Sequence, residues 1–437
     1  VVLIFVAVAA LGFRRGALTV RGTALGFLAL LLAMIVVVLV TSVVWTLIRA
    51  LHPGGQIWAL QYNADLFWLG FASLAIAATT TLYNWLRQRI GLGDLALGAL
   101  FWPLLSMIFV SLFLPAASYS LTWPLLSSLL GLAALFVLRA GPALRWQRFV
   151  VLALSAIPIL LLFAPGLNGV TLPVGLLFPP MVIVFALVLV LLLGLLVPHL
   201  EALARPNPWA VPGSTAALGL LLLLFGSLTA GFDARHPQPN DIFYALDATT
   251  RQAIWASGDE APDAWTAQFL GTNPTKGSVA GYLPGESSAL LYSEAPPVAL
   301  PAPDVTLLDT RIRGGVRTLR LRITAPVDAT FFDLIVPDKS LVKGASVNGR
   351  PVPDGLSGNG ASAPWSLRYW NPPADGVEVA LDIDGAEAVT LAATVATRGL
   401  PSVPGTSSTP RPPEMMASNL QEERTLVSKS FTFAARP

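Results

Sequence analysis

Cysteine is absent from all 437 residues, which removes disulfides, thiolate nucleophiles and cysteine-held metals together. Histidine is almost as scarce, with three copies at His52, His199 and His236. Charge is sparse and unevenly placed. Residues 1–231 carry ten Arg, no Lys, two Asp and one Glu, while the remainder carries seventeen basic and twenty-two acidic residues. The net charge of +2 thus joins a basic first half to an acidic second half. No basic patch with interleaved aromatics occurs in either, so the pI of 9.0 does not speak for nucleic acid. Also lacking are G-x-S-x-G, H-E-x-x-H and a Walker glycine loop.

What is abundant is apolar sequence. Hydrophobic residues make up 54% of the chain and the mean hydropathy is +0.67, above the ~45–50% apolar usage of ordinary soluble proteins. Apolar segments of spanning or near-spanning length run from Ala24 to Ile48, Leu66 to Leu86, Leu95 to Leu114, Ser120 to Leu138, Phe149 to Ala164, Leu176 to Pro198 and Thr215 to Gly231. An opening run, VVLIFVAVAALGF, ends at Arg14-Arg15 and falls short of the ~20 residues that cross ~30 Å of hydrocarbon. A signal peptide would carry its charge before such a run, not after it. It therefore reads as a clipped helix, the chain reads as a fragment, and about eight spans are expected over 1–231.

Arginine sets the expected orientation through the positive-inside rule. Alternate loops hold Arg14, Arg15 and Arg21, then Arg87 and Arg89, then Arg139, Arg145 and Arg148, then Arg205, whereas the opposite loops hold only Arg49. The first span then starts, and everything after Gly231 lies, on the non-cytoplasmic side.

Beyond Phe232 the composition becomes that of a soluble chain. Short segments rich in β-branched and alternating apolar residues, such as VRTLRLRITA, TFFDLIVP, SLRYW, VEVALDID and VTLAATVAT, are separated by RGG, PDKS, PDGLSGNGAS, PPADG and DGAE. This spacing predicts an all-β, antiparallel, sandwich-like domain. Its lead-in, 232–304, is less regular, but NDIFYALDATTRQAIWAS reads as a hairpin turning at Asp247 to Arg251. The body, 305–437, includes a Pro/Ser/Thr-rich stretch near 399–423 expected to be mobile, with LVSKSFTFAA able to return as a final strand.

Few residues nominate themselves for chemistry, and no catalytic or metal-ligating set emerges. His199 and Glu201 are two apart, which does not put two ligands on one helical face. His52 and His236, together with Asp65, Asp233 or Asp241, are the weak candidates for a cluster at the outer membrane surface. Asp65 and Asp94 fall at span edges, and no ionisable residue is expected inside a span to mark an ion path. The most distinctive motif is FLPAASYSLTWPLL, from Phe113 to Leu126. It reads first as a tight helical hairpin with Tyr and Trp at the headgroups, and second as a lipid or substrate contact.

In that motif Pro115, Ser118, Tyr119, Thr122, Trp123 and Pro124 resemble the P-x-x-S-Y-x-x-T-W-P pattern in the membrane region of zinc exopeptidases of the aminopeptidase Y type. That group includes the endoplasmic reticulum metallopeptidase, the vacuolar membrane protease and bacterial relatives. The stretch from Pro239 to Leu270 resembles the start of the exoplasmic C-terminal domain of the bacterial members. The resemblance implies a peptidase domain upstream, on the periplasmic side of a bacterial inner membrane, with two zinc ions and a Glu general base. It also implies that peptide substrates reach the protein only through that domain, so this chain itself would hold no cofactor and hydrolyse nothing. The lipid bilayer and the upstream domain are the expected partners. Two other readings stay open: a stand-alone membrane protein whose outer β-domain binds a ligand or partner, and a transporter of an uncharged or lipid substrate.

Overall fold

A computed structural model describes residues 1–138, 145–171, 179–197, 199, 207–353, 364–385, 387–404, 409–418 and 423–435. Arg139, Arg205, Glu201 and most of the turn PDGLSGNGAS lie outside the described residues, as do parts of the Pro/Ser/Thr-rich stretch. The chain divides into two compact units, Val1–Gly231 and Phe232–Pro437.

The first unit is helical: α1 (Val2–Arg14), α2 (Val20–Leu51), α3 (Ala64–Leu86), α4 (Leu92–Phe113), α5 (Tyr119–Val137), α6 (Arg145–Thr171), α7 (Pro179–Leu195) and α8 (Ala210–Leu228). Among the described residues five stretches are long and apolar enough to cross a membrane: Val20–Leu51, Gln56–Leu86, Leu92–Phe113, Tyr119–Val137 and Ala210–Leu228. Val2–Arg14, Trp146–Leu162 and Met181–Leu195 are shorter apolar helices. The unit is therefore that of a membrane protein, with five apolar helices of full spanning length among the described residues where the apolar runs predict eight spans. The entrance to α2 is capped by Thr19, whose hydroxyl accepts from the Gly22 N–H at 3.0 Å. A 3₁₀ stretch over Gly54–Asn63 separates α2 from α3.

Apolar helices in lipid gain nothing from burying apolar surface against each other, so close approach falls to small residues. Gly22 and Gly26 of α2 and Gly98 of α4 supply it between those two helices. A Cβ on Gly26 would collide with the Asp94 carbonyl, and one on Gly98 with the Phe27 nitrogen. The same device joins α3 to α8, where a Cβ on Gly219 would meet the Gly70 carbonyl at 3.0 Å. Asp94, in the first turn of α4, is 5% exposed. Its carboxylate accepts from the Thr19 N–H at 2.8 Å, the Thr19 hydroxyl at 3.1 Å and the Thr23 hydroxyl at 3.1 Å. It thus belongs to the span edge where sequence put it, but as a buried tie between two helices.

The second unit is β-rich. A five-stranded sheet has the order β10-β9-β12-β7-β6, and an eight-stranded sheet the order β11-β8-β13-β15-β2-β3-β5-β4. Its strands are β1 (Gln238–Asn240), β2 (Phe243–Asp247), β3 (Gln252–Ser257), β4 (Thr275–Ser278), β5 (Ala289–Ala295), β6 (Asp304–Arg313), β7 (Val316–Thr324), β8 (Ala329–Val336), β9 (Val342–Val347), β10 (Arg350–Pro351), β11 (Trp365–Trp370), β12 (Val377–Asp384), β13 (Val389–Arg398), β14 (Met415–Ala417) and β15 (Arg424–Phe433). Strict alternation drives the five-stranded sheet: Val377, Val379, Leu381 and Ile383 of β12 and Leu319, Leu321 and Ile323 of β7 all point to one side. They share a single core with Tyr244, Trp255, Phe332, Leu334, Leu391, Val395 and Val427 of the eight-stranded sheet. Two sheets around one core form a two-layer sandwich.

Two features depart from the expected antiparallel arrangement. The hairpin β2–β3 turns where sequence placed it, but it lies inside the large sheet, and β15 joins β2 in parallel. A second parallel pair, β1 with β14, ties Gln238–Asn240 to Met415–Ala417 inside the Pro/Ser/Thr-rich stretch. Both faces of β2 and β3 are covered, because Val279, Leu283 and Leu290 pack over Phe243, Ala245, Ile254 and Ala256 on the face away from the core. Beyond that cover, the same outer face stays open.

Candidate functional site

The open part of the outer face is a cleft of about 530 Å³. Its floor is built by strand alternation. On β8 the residues Phe332, Leu334 and Val336 turn into the core, which leaves Phe331, Asp333 and Ile335 for the cleft; β11 presents Ser366 and Arg368, β13 Thr394, and β15 Arg424 and Leu426. The rim is the covering segment itself, with Leu283, Pro284, Gly285 and Glu286. Gly285 has φ of +92°, and a Cβ there would lie 3.1 Å from the Ile335 Cδ1, so a bare backbone lets the rim reach the floor.

Charge in the cleft is arranged around one ring. Arg368 grips Asp333 with two parallel hydrogen bonds of 2.7 Å each, and its guanidinium lies 4.1 Å from the Phe331 centroid. Arg424 approaches the same ring at 5.9 Å. Hydrogen bonding to Asp333 pushes the Arg368 guanidinium above its ordinary basicity, and the planar fork fixes its orientation. Between these groups lies Thr394, 4% exposed, whose hydroxyl has no hydrogen-bond partner among the described residues. A buried hydroxyl without a partner forfeits roughly 1–3 kcal/mol. The cleft therefore offers an apolar wall and a fixed guanidinium above a floor that includes the buried Thr394.

Beside the cleft, in the segments just before β2 and just after β3, lies an acidic cluster. Asp241 accepts from the Gly258 N–H at 2.7 Å, and Asp259 accepts from the Asp241 N–H at 2.9 Å. Burial, offset in part by the Gly258 N–H, pushes the Asp241 carboxyl up to about 6; burial also raises Asp259. Asp263 accepts from the Thr266 N–H at 2.7 Å just ahead of the short helix α9 (Ala267–Leu270), and it holds the Asn240 amide at 2.6 Å. Arg411 closes the cluster: it donates to Asn240 and to Glu423, the latter at 2.6 Å, and stacks 4.2 Å from the Trp265 ring. These contacts hold β1, β14 and the start of β15 together.

The motif residues occupy a tight turn. Pro115–Ala117 form one 3₁₀ turn between α4 and α5, the Ser118 hydroxyl donates to the Pro115 carbonyl at 2.8 Å, and the Thr122 hydroxyl donates to the Ser118 carbonyl at 2.8 Å. Tyr119 and Trp123 are each 58% exposed, while Pro124 is buried in α5. The hydroxyls are thus committed to local backbone and the aromatics face outward. Of the weak candidates, Asp65 lies in the first turn of α3. His52 has its ring nitrogens 2.9 Å from the Ile48 carbonyl and 3.3 Å from the Ser227 carbonyl. His236, in the other unit, pairs with Asp233 at 3.3 Å. His199 lies 2.8 Å from the Leu152 carbonyl. No group of three His, Asp or Glu placed to hold a metal occurs among the described residues.

The chain matches no family model and no curated protein. Sequence reasoning does not nominate Phe331, Asp333, Arg368, Thr394 or Arg424. The available signal is the polar residue breaking each apolar strand, Asp333 in TFFDLIVP and Arg368 in SLRYW. Their convergence depends on a strand order that sequence does not reveal.

Proposed function

We propose that this chain is the membrane-spanning and exoplasmic portion of a zinc-dependent exopeptidase, with about eight spans and the β unit on the periplasmic side. The support is the resemblance at Pro115–Pro124 and at Pro239–Leu270. The first stretch is the α4–α5 hairpin of the helical unit, and the second supplies β2 and β3 of the large sheet. In this reading the helices anchor the enzyme, and the β unit sits beside a peptidase domain that carries the metal and the chemistry. The test is to tag the C-terminus in the native host. A tagged polypeptide larger than 46.2 kDa by a peptidase domain, purifying with two zinc ions and protease-accessible only from outside, is expected. A tagged product of 46.2 kDa, without zinc, would sink the reading.

The cleft favours a second reading, in which the outer β unit is a ligand-binding module. An apolar wall beside a fixed Arg–Asp pair suits a ligand with an apolar body and one hydrogen-bonding end. Apolar peptides are expected to protect residues 331–336 and 391–396 from hydrogen exchange, and Phe331→Ala should abolish the protection. Protection that persists in that variant counts against the cleft.

A further inference from the structure

In the helical unit an apolar groove of about 580 Å³ runs between α1, α2 and α4. Ala9 and Phe13 of α1, Val20, Ala24, Phe27 and Leu28 of α2, and Leu97 and Phe101 of α4 line it. The residues on α2 recur at three- and four-residue intervals, so they form one stripe along the helix. From Val20 to Leu28 that stripe covers about 12 Å at 1.5 Å per residue. One leaflet is about half of a ~30 Å hydrocarbon core, so the groove runs most of the way from the interface to the midplane. Thr23 supplies the only hydroxyl among its lining residues, and that hydroxyl donates to Asp94.

One end of the groove is basic. Arg14 follows Phe13 and Arg21 follows Val20, with Arg15 in the turn between the two helices, and all three side chains are exposed. The nearby carboxylate, Asp94, is spent on the Thr19 N–H and on two threonine hydroxyls, and no ion pair to Arg14, Arg15 or Arg21 forms among the described residues. An apolar slot of leaflet depth, with three exposed arginines around the turn that follows its lining residue Phe13 and flanks Val20, has the two chemistries of an anionic phospholipid in the right order. The wall is also held still: Trp102 stacks on Phe27 with ring centroids 4.8 Å apart and donates to the Phe27 carbonyl at 3.0 Å.

Granted that the helical unit lies in a bilayer, we infer that this groove is a specific site for an anionic phospholipid, one acyl chain lying along Phe13, Ala24 and Leu28 and the phosphate held by Arg14, Arg15 and Arg21. The inference is independent of the peptidase reading and of the β-unit cleft. Juxtamembrane arginines each contribute enough for the triple loss to cost roughly 100-fold in affinity for an anionic lipid over a zwitterionic one.

The full chain, reconstituted in nanodiscs of mixed phosphatidylglycerol and phosphatidylcholine, provides the test. A phosphatidylglycerol with a photoreactive acyl chain should label peptides within residues 9–28 or 97–101, and excess unlabelled phosphatidylglycerol, but not phosphatidylcholine, should compete. By native mass spectrometry the wild type should retain phosphatidylglycerol through detergent exchange. The variant R14Q/R15Q/R21Q should lose that retention, and so should Ala24→Phe, which fills the slot. Equal competition by phosphatidylcholine overturns the inference as ordinary boundary lipid. Labelling spread along the helices, or retention that needs the arginines but survives Ala24→Phe, overturns it as headgroup adsorption to a basic rim. Because the labelling map uses unmodified protein, a variant that fails to fold does not remove the test.

Discussion

Replacing Asp241 by Asn should stabilise the β unit at neutral pH, against the usual cost of altering a buried polar residue. Asp241 is 4% exposed; one carboxylate oxygen accepts from Gly258, and the other has no hydrogen-bond partner among the described residues. Its pKa rises from 3.8 to about 6, chiefly through burial. The folded unit therefore binds this proton more tightly than the unfolded chain does. The resulting stability is fully present below about pH 4 and is lost as pH rises through about 6. At about 1.36 kcal/mol per pH unit, the difference amounts to about 3 kcal/mol. Asparagine keeps an oxygen for the Gly258 N–H and carries no charge at any pH. We expect Asp241→Asn to gain about 1–3 kcal/mol at pH 7.5 and to flatten the decline between pH 4 and 7. Asp259, also raised by burial, should leave a residual slope, while Arg411 and Arg424 oppose the effect by favouring the charged form. Hydrogen exchange of strand peptides 243–257 in the reconstituted full chain, compared at matched pH, reads the β unit separately from the helices. A variant less stable than wild type at pH 7.5, or equally pH-dependent, would refute the reasoning.

Further expectations follow from other contacts. Thr394→Val keeps the shape of the cleft floor and removes the unmatched hydroxyl, so it should stabilise the empty β unit by about 1 kcal/mol in a denaturant titration followed by exchange. Gly98→Ala drives a Cβ into the Phe27 nitrogen, so it should part α2 from α4 and appear as loss of the monodisperse peak in size-exclusion chromatography. Gly213→Ala, where a Cβ meets nothing within 4 Å, should leave that peak intact. Arg411→Ala removes the clamp on Asn240, Glu423 and Trp265; it should raise exchange in 238–240 and 415–417, with a cost of about 3 kcal/mol for the stranded partners.

Legibility in the sequence follows the range of the interaction. The long apolar runs announce the helices because composition alone sets that preference in lipid. β12 is legible because VEVALDID alternates without error, and the β2–β3 hairpin because polar turn residues separate two apolar strands. The pairing of Gln238–Asn240 with Met415–Ala417 is hidden, since neither stretch is rich in strand-forming residues and Arg411 does the fastening from outside both. Asp94 reads as a mere edge residue because its partners, Thr19 and Thr23, lie more than seventy positions away. The cleft is hidden for a similar reason: Arg368 meets Asp333 only because β11 pairs with β8, and Thr394 joins them only because β13 lies on the other side of β8.

The place of β15 also constrains how the β unit can be born. It lies between β13 and β2 and brings Arg424 alongside Phe243, so strands made early in synthesis have an unfilled neighbour until residues near 424–433 emerge. Over that interval the hairpin at 243–257 presents a bare edge, the kind of template to which another chain can add. Closing a loop of this length is slow compared with local hairpin formation. A ribosome that stalls between Pro401 and Glu423 would leave a two-layer structure with a gap through its middle, not a shortened edge. Fidelity of this domain thus depends on completing synthesis through residue 433, and quality control acting on it has one unambiguous feature to sense: an unoccupied slot between the second strand and the thirteenth.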